Sequence, residues 1–486
     1  MAQTLNDGRE AGSAARRFRR LSGVDGHFLN LEMPGQPMQI IALGLLRSPP
    51  GVVLTLEDLR RHLATRLDQL PAFRRRLVPV PMGLANSVLV DDPYFDLTAH
   101  LSRIVLPAPG GPEELDAACG RLVSRHLDRS RPLWRITLID GLADGRQALV
   151  LEVHHAVMDG FATGTALARI FADGEAVGPP ALRASGRLPG RGRMVAAALA
   201  EDARLLARLP GLIGRARQAR AAVRQRLAEA VVTVPKAGVD VPASLINTGF
   251  TAERRFAQAA LPLDAVLTVK EAAGVTVNDV ALAVVGGALR AFLQARDALP
   301  DRPLVAGVPV GMTESVSAPR AEGNRISFLR TTLASDIADP WERLRRVSAV
   351  TTEAKACLEL EGRELVEDWL ACVPPILGAP AARRHETARR RPDGPPVNLS
   401  ANVVVSNLRG PASPWQLGST VVEEVYMAPP GEGAGVNFLF WDYADRLCFG
   451  ILSFSESIED PRELATGLSR SLDEFVAAGI RRVPTA

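Results

Sequence analysis

Lysine is nearly missing from this chain. Of 57 basic residues in 486, only Lys236, Lys270 and Lys355 are lysines, so 54 are arginines. Together with the wealth of Ala, Gly and Pro, this reads as the codon bias of a GC-rich genome and says little about function. Cysteine is scarce too. Cys119, Cys357, Cys372 and Cys448 lie far apart and form neither a CxxC pair nor a metal-ligand cluster. That excludes a disulfide scaffold and a zinc site by spacing, and leaves reduced, mostly buried thiols of a cytoplasmic chain. No glycine-rich phosphate loop stands out. A net charge of +3 gives no footprint for nucleic acid. No run reaches the roughly 18–20 apolar residues of a spanning helix. The longest candidate, Val280 to Leu289, is short and carries two glycines. The N-terminus is polar and lacks the apolar core of a signal peptide. Membrane attachment, if it exists, is expected to be peripheral.

What is present is enough apolar residue, 47%, for full cores, in a chain long enough for two domains. We expect a disordered N-terminus over 1–18 and an N-terminal domain over 19–180. A helical linker follows over 181–242, then a C-terminal domain over 243–486. Apolar spacing predicts helices over Leu56 to Leu67, Glu113 to Leu127 and Phe161 to Phe171. Strands are predicted over Met38 to Leu46, Arg135 to Ile139 and Ala148 to Val153. In the second half, strands at 254–261, 304–310, 324–333, 402–406, 435–441 and 447–453 mix with helices at 263–273, 280–294 and 461–478. Neither half alternates strand and helix regularly. That favours two α+β sandwiches over a doubly wound sheet.

The linker is distinctive. Residues 174–193 are rich in Gly, Pro and Arg. From Met194 to Val231 the pattern is helical, with a break expected near Pro210-Gly211. Eleven arginines fall between Arg183 and Arg226 against two acids, Glu201 and Asp202. Leu212, Ala216, Ala219, Val223 and Leu227 make an apolar stripe, with Arg217, Arg220 and Arg224 on another face. Two readings fit: a basic amphipathic helix on an anionic lipid surface, or a solvated helix that packs its stripe on the protein.

The most informative stretch is His154-His155-Ala156-Val157-Met158-Asp159-Gly160, which ends the strand at Ala148 to Val153. A strand delivers two adjacent histidines to its tip. One imidazole can then act as general base on a hydroxyl or thiol. The Asp can form an ion pair that holds the loop, and the Gly allows a sharp turn. The arrangement suits acyl transfer from a thioester to an alcohol.

Several motifs then converge in order. Leu21-Ser22-Gly23-Val24-Asp25 is followed by Arg131-Pro132-Leu133-Trp134 and the His box. Val277-Asn278-Asp279-Val280 and Ser406-Asn407-Leu408-Arg409-Gly410-Pro411 come later. In this set the chain resembles the bacterial wax ester synthase/acyl-CoA:diacylglycerol acyltransferases. The His box alone is similar to the wider superfamily of chloramphenicol acetyltransferase and condensation domains. The chain departs from the family pattern at Leu408-Arg409 and at Asn247-Thr248-Gly249-Phe250, which puts substrate preference in doubt more than activity.

The resemblance implies two chloramphenicol-acetyltransferase-like domains with a tunnel between them. It implies acyl-CoA as co-substrate, no cofactor, and diacylglycerol or a long-chain alcohol as acceptor. His155 is then the catalytic base, in direct transfer without an acyl-enzyme. Asp159 pairs with Arg74 or Arg76, His154 shapes the loop and contacts substrate, and Gly160 permits the turn. Asn278, Ser406 and Asn407 either position substrate and oxyanion or serve as a helix cap and a strand end. Trp134 lines a lipid channel or sits in the core. The chain is expected in the cytoplasm, peripheral at the inner face of the plasma membrane or on lipid inclusions. The competing readings are an acyltransferase for another acceptor, such as a glycolipid or a carrier-bound amine, and a non-catalytic coat on lipid inclusions.

Overall fold

The computed structural model describes residues 18–171, 190–247, 251–311, 322–389, 399–431 and 434–479. The expected disorder of the N-terminus, most of the linker at 174–193 and Thr248-Gly249-Phe250 therefore lie outside the described residues.

Two six-stranded sheets dominate. From edge to edge the first runs Trp415–Leu417, Thr420–Ala428, Gln39–Arg47, Gln147–His154, Trp134–Asp140 and Leu101–Val105. The second runs Ile326–Thr332, Val305–Gly311, Val403–Leu408, Val436–Tyr443, Arg446–Phe454 and Arg254–Pro262. Most pairs are antiparallel, but Leu101–Val105 lies parallel to its neighbour and Val403–Leu408 parallel to both of its own. Helices pack on each sheet, so both halves are mixed sandwiches, as the pattern of elements predicts. Phe18–Arg20, Arg75–Val78 and Val88–Asp91 form a small third sheet.

The boundary expected at residue 243 does not separate the sheets. Thr420–Ala428 leaves the second half and pairs along Gln39–Arg47, with Val425 opposite Gly44. It then ties the two sheets together. Trp441 Nε1 donates to Val425 O at 2.7 Å. At Gly450 any Cβ would lie 2.1 Å from Met427 O, so only glycine allows that approach.

Helix Val277–Gln294 is long and apolar, and it runs through the core of the second half with most of its surface covered. Its cap is Thr276, which exchanges hydrogen bonds with Asp279, and not Asn278. The linker helix Arg191–Glu229 continues through Pro210 without the expected break. Tertiary packing overrides the local signal. Leu212, Ala216 and Ala219 are buried, and ion pairs Arg215–Asp368 and Arg226–Glu353 pin the helix to the body. The first three positions of the apolar stripe thus face protein. Among the described residues between 334 and 401, where the sequence pattern is silent, lie three further helices: Pro340–Glu361, Leu365–Ala371 and Pro375–Arg389.

Candidate active site

Strand Gln147–His154 is buried along its whole length between Gln39–Arg47 and Trp134–Asp140. Both faces are covered, which is why its sequence is a nearly unbroken apolar run. At its end the chain turns at once: His155 N donates to Met38 O at 2.7 Å, and Val157 N to His154 O at 3.0 Å. Helix Gly160–Phe171 starts immediately after. Asp159 caps it, its Oδ1 accepting from Ala162 N at 2.8 Å.

The adjacent histidines point to different environments. His154 is fully buried. Its Nδ1 accepts from Ala156 N at 3.0 Å, and its Nε2 lies 3.3 Å from Glu32 Oε1. Burial works against ionisation of Glu32, but His154, Arg129 and His126 hold its carboxyl well below the usual range. His154 therefore anchors the turn through Glu32 and does not border the reaction chamber, contrary to the expected substrate contact.

His155 borders a chamber of about 180 Å³ built from both halves of the chain. Phe28 stacks on its ring, centroids 3.9 Å apart. Its Nδ1 lies 2.8 Å from Asn324 Oδ1. The network fixes which atom carries the proton. Asn324 Nδ2 donates to Asp25 Oδ1 at 2.7 Å and to His155 O at 2.7 Å, and Asn324 N donates to Asp25 Oδ1 at 2.8 Å. With its NH2 group engaged, the amide presents oxygen to the imidazole. Nδ1 is then the donor, and Nε2 keeps the lone pair. Asp25 is itself fully buried, held by Arg19 and the Ser22 N–H. Burial pushes the His155 pKa down from 6.5 to about 4, against the pull of nearby Asp159 and the Asn324 hydrogen bond. The ring is neutral at physiological pH.

Segment Gly323-Asn324-Arg325 is strapped onto the His box. Gly323 N donates to Val157 O, Asp159 N to Gly323 O, and Arg325 N to Asp159 Oδ2. No sequence motif marks Asn324 as a site residue. Asp25 stood in a recognised motif but without a role. The available signal was a Gly-Asn pair at the mouth of an apolar strand.

Other expectations need correction. Arg74 pairs with Asp68 at 2.8 Å and Arg76 with Asp92 at 3.6 Å, so neither holds Asp159. Both sit on the short stretch that ends in the small sheet. Gly160 has no left-handed backbone. Its small size matters because a Cβ would come within 3.1 Å of Leu408 Cδ1. Trp134 is buried, stacks on Phe73 and His100, and donates to Phe73 O at 2.8 Å, so it sits in the core. Ser406 and Asn407 do border the chamber, and Asn407 Nδ2 donates to Asn278 Oδ1 at 3.0 Å. The structure thus brings together His155, Asp159, Gly160, Ser406 and Asn407, with Asn278 one hydrogen bond behind.

The model of the wax ester synthase/diacylglycerol acyltransferase catalytic domain matches residues 21–281, and that of the WS/DGAT C-terminal domain matches 322–475. A Mycobacterium tuberculosis protein (strain ATCC 25618 / H37Rv), named as a putative diacylglycerol O-acyltransferase, is 33% identical over 478 residues. That alignment covers 95% of this chain and 97% of the relative. The solved wax ester synthase/diacylglycerol acyltransferase from Marinobacter aquaeolei VT8 superposes with a TM-score of 0.64 at 27% identity, covering 95% of this chain and 100% of that one. The first condensation domain of the CDA synthetase has a TM-score of 0.56 at 18% identity, covers 96% of this chain and 97% of that one, and shows the shared fold alone. With a catalytic-domain model spanning more than half of its length and a relative a third identical along nearly all of it, this chain belongs to the wax ester synthase/diacylglycerol acyltransferase family of acyl-CoA-dependent O-acyltransferases.

Proposed function

We propose that the chain transfers a long-chain acyl group from acyl-CoA to the hydroxyl of diacylglycerol or a long-chain alcohol, with His155 Nε2 as general base. Nε2 takes the hydroxyl proton as the oxygen attacks the thioester carbonyl. The tetrahedral intermediate collapses, the carbon–sulfur bond breaks, and the imidazolium returns the proton to the departing thiolate. Asn324 Oδ1 and the Asp159 charge stabilise that transient imidazolium inside a buried site. Ser406 and Asn407, which border the chamber, would donate to the oxyanion in this reading. Phe28, Pro309, Phe328 and Leu439 give the chamber walls suited to aliphatic chains. The Asn324–His155 hydrogen bond is the observation that carries this reading, because it presents a neutral base of defined tautomer to a chamber with apolar walls.

Peripheral attachment to a lipid surface belongs to the same reading. Helices Leu365–Ala371 and Pro375–Arg389 pack on helix Gly23–Leu31, which carries Phe28. Outward these helices and their connection expose Trp369, Val373, Ile376 and Leu377, with Met82 alongside. An apolar face so close to the helix over His155 is where a lipid acceptor would be handed in.

The test is CoA release from palmitoyl-CoA with hexadecanol or dioleoylglycerol, on the wild type and on His155→Ala. Acceptor-dependent release that disappears in the variant supports the proposal, and the faster acceptor names the reaction. Equal turnover in the variant would remove His155 from the chemistry. Turnover only with a glycolipid or an amine would move the chain to a different acceptor class.

A further inference from the structure

A second cavity, about 840 Å³, lies between the linker helix, strand Ile326–Thr332 and helix Pro340–Glu361. Its rim is strongly basic. Arg217, Arg220 and Arg224 follow one another at helical spacing of three and four, so they share a face. Lys236 and Arg330 complete the ring, and Glu361 is the one acid lining it. None of the five cations is ion-paired among the described residues, whereas Arg215 and Arg226, on the same helix, both are. Arg330 is half-buried and held in place by Ser400 O at 2.9 Å. Between the charges lies an apolar floor that includes Val223 and Leu227. Phe328 borders both this groove and the His155 chamber.

Five cations against one carboxylate leave the concavity strongly positive, and such a cluster calls for an anion. An apolar floor calls for a molecule that is not anionic throughout. Contact with the reaction chamber calls for a molecule that ends at His155. Building on the acyl-transfer reading, we propose that this groove seats the phosphate-bearing nucleotide end of acyl-CoA. The pantetheine arm then passes Phe328 into the chamber. A phospholipid headgroup would meet the charge requirement but has no need of a wall residue, Phe328, shared with the reaction chamber.

The test uses the full chain and Arg217→Gln/Arg220→Gln/Arg224→Gln, three exposed changes that leave the buried stripe intact. KM is measured for palmitoyl-CoA and for palmitoyl-pantetheine, the same thioester without phosphates. The expected result is a KM rise of about tenfold or more for palmitoyl-CoA, with kcat nearly unchanged and palmitoyl-pantetheine unaffected. Free CoA binding, measured calorimetrically, is expected to weaken to match and to weaken further with salt. Equal effects on the two thioesters, or none, would overturn the proposal. So would an unchanged palmitoyl-CoA KM with lost binding to anionic vesicles, which would assign the groove to headgroups. The calorimetric arm separates this proposal from the reaction itself. CoA binding that depends on the three arginines without turnover sinks the reaction, while turnover with an unmoved KM sinks the groove.

Discussion

At the scale of single residues, the site depends on a relay that starts at Asp25. Its carboxylate orients Asn324, and Asn324 orients His155. Leucine at 324 keeps the volume and deletes the acceptor for Nδ1–H. We expect Asn324→Leu to lower kcat by about 100-fold with little change in KM, the size of effect seen when an orienting partner of a functional histidine is lost. Steady-state kinetics with saturating acceptor checks this, and an unchanged kcat would show that the amide only fills space. The pH profile gives a second readout. Protonation inactivates the base, and burial lowers its pKa to about 4. The wild type should hold kcat/KM flat from pH 8 to about 5 and lose it only below that. A limb at the ordinary histidine value of 6.5 would contradict the buried neutral ring. His155 and Asp159 were legible because a strand end followed by an Asp-Gly helix start is a local pattern. Asn324 and Asp25 were not assigned, because the contact that gives them meaning joins positions 299 residues apart.

At the scale of elements, helix Pro112–Val123 of the first half packs against strand Arg254–Pro262 of the second, and Asp116 is trapped in the contact. Burial pushes its pKa up to about 8, with Arg462 and Gln258 pulling the other way. Raised above the unfolded value of 3.8, this carboxyl favours folding fully only at low pH. The folded state keeps a proton that the unfolded state has released, so stability falls as pH climbs from about 4 towards 8. At pH 7 the cost is about 4 kcal/mol by the pKa difference. Asp116→Asn retains the shape and cannot ionise. It should raise the melting temperature at pH 7.5 by several degrees and leave it nearly unchanged at pH 4. A pH-independent difference would mean that packing alone separates the two side chains. Element types were readable wherever apolar periodicity was strong, as in Leu263–Ala273, which has the predicted bounds. Helices 340–389 were not, since exposed apolar positions and Pro380 blur their period. The unbroken linker helix shows the opposite failure: a Pro-Gly signal overruled by packing.

For the whole molecule, the crossing strand Thr420–Ala428 makes the halves interdependent. Residues 243–486 alone would expose that strand without its partner, and the first half would lack a sheet edge. We expect each half expressed alone to aggregate and the co-expressed halves to assemble, with the intact chain melting in one step. A folded, monomeric 243–486 would disprove this. The two-sandwich architecture was legible from element order, but the exchange of a strand between sandwiches was not, because a strand carries no mark of which sheet it will join.

The two cavities and the apolar face also divide the surface into working regions. The basic groove lies along the C-terminal half of the linker helix, while the middle of that helix is pinned to Leu365–Ala371 by Arg215 and Asp368. The apolar face therefore begins where the groove ends, and water-soluble and lipid-soluble substrates would approach from different sides. Leu377 is 66% exposed and Ile376 49%, beside Trp369, a residue suited to the boundary between lipid and water. Ile376→Asp/Leu377→Asp places two carboxylates where acyl chains would lie. Flotation with phospholipid vesicles should show this variant left in the aqueous fraction while the wild type floats. Activity on dioleoylglycerol presented in vesicles should fall about tenfold or more, and activity on a short, soluble alcohol should persist. If both activities fell together, the face would be supporting helix Gly23–Leu31 and Phe28 from behind instead of meeting a lipid surface.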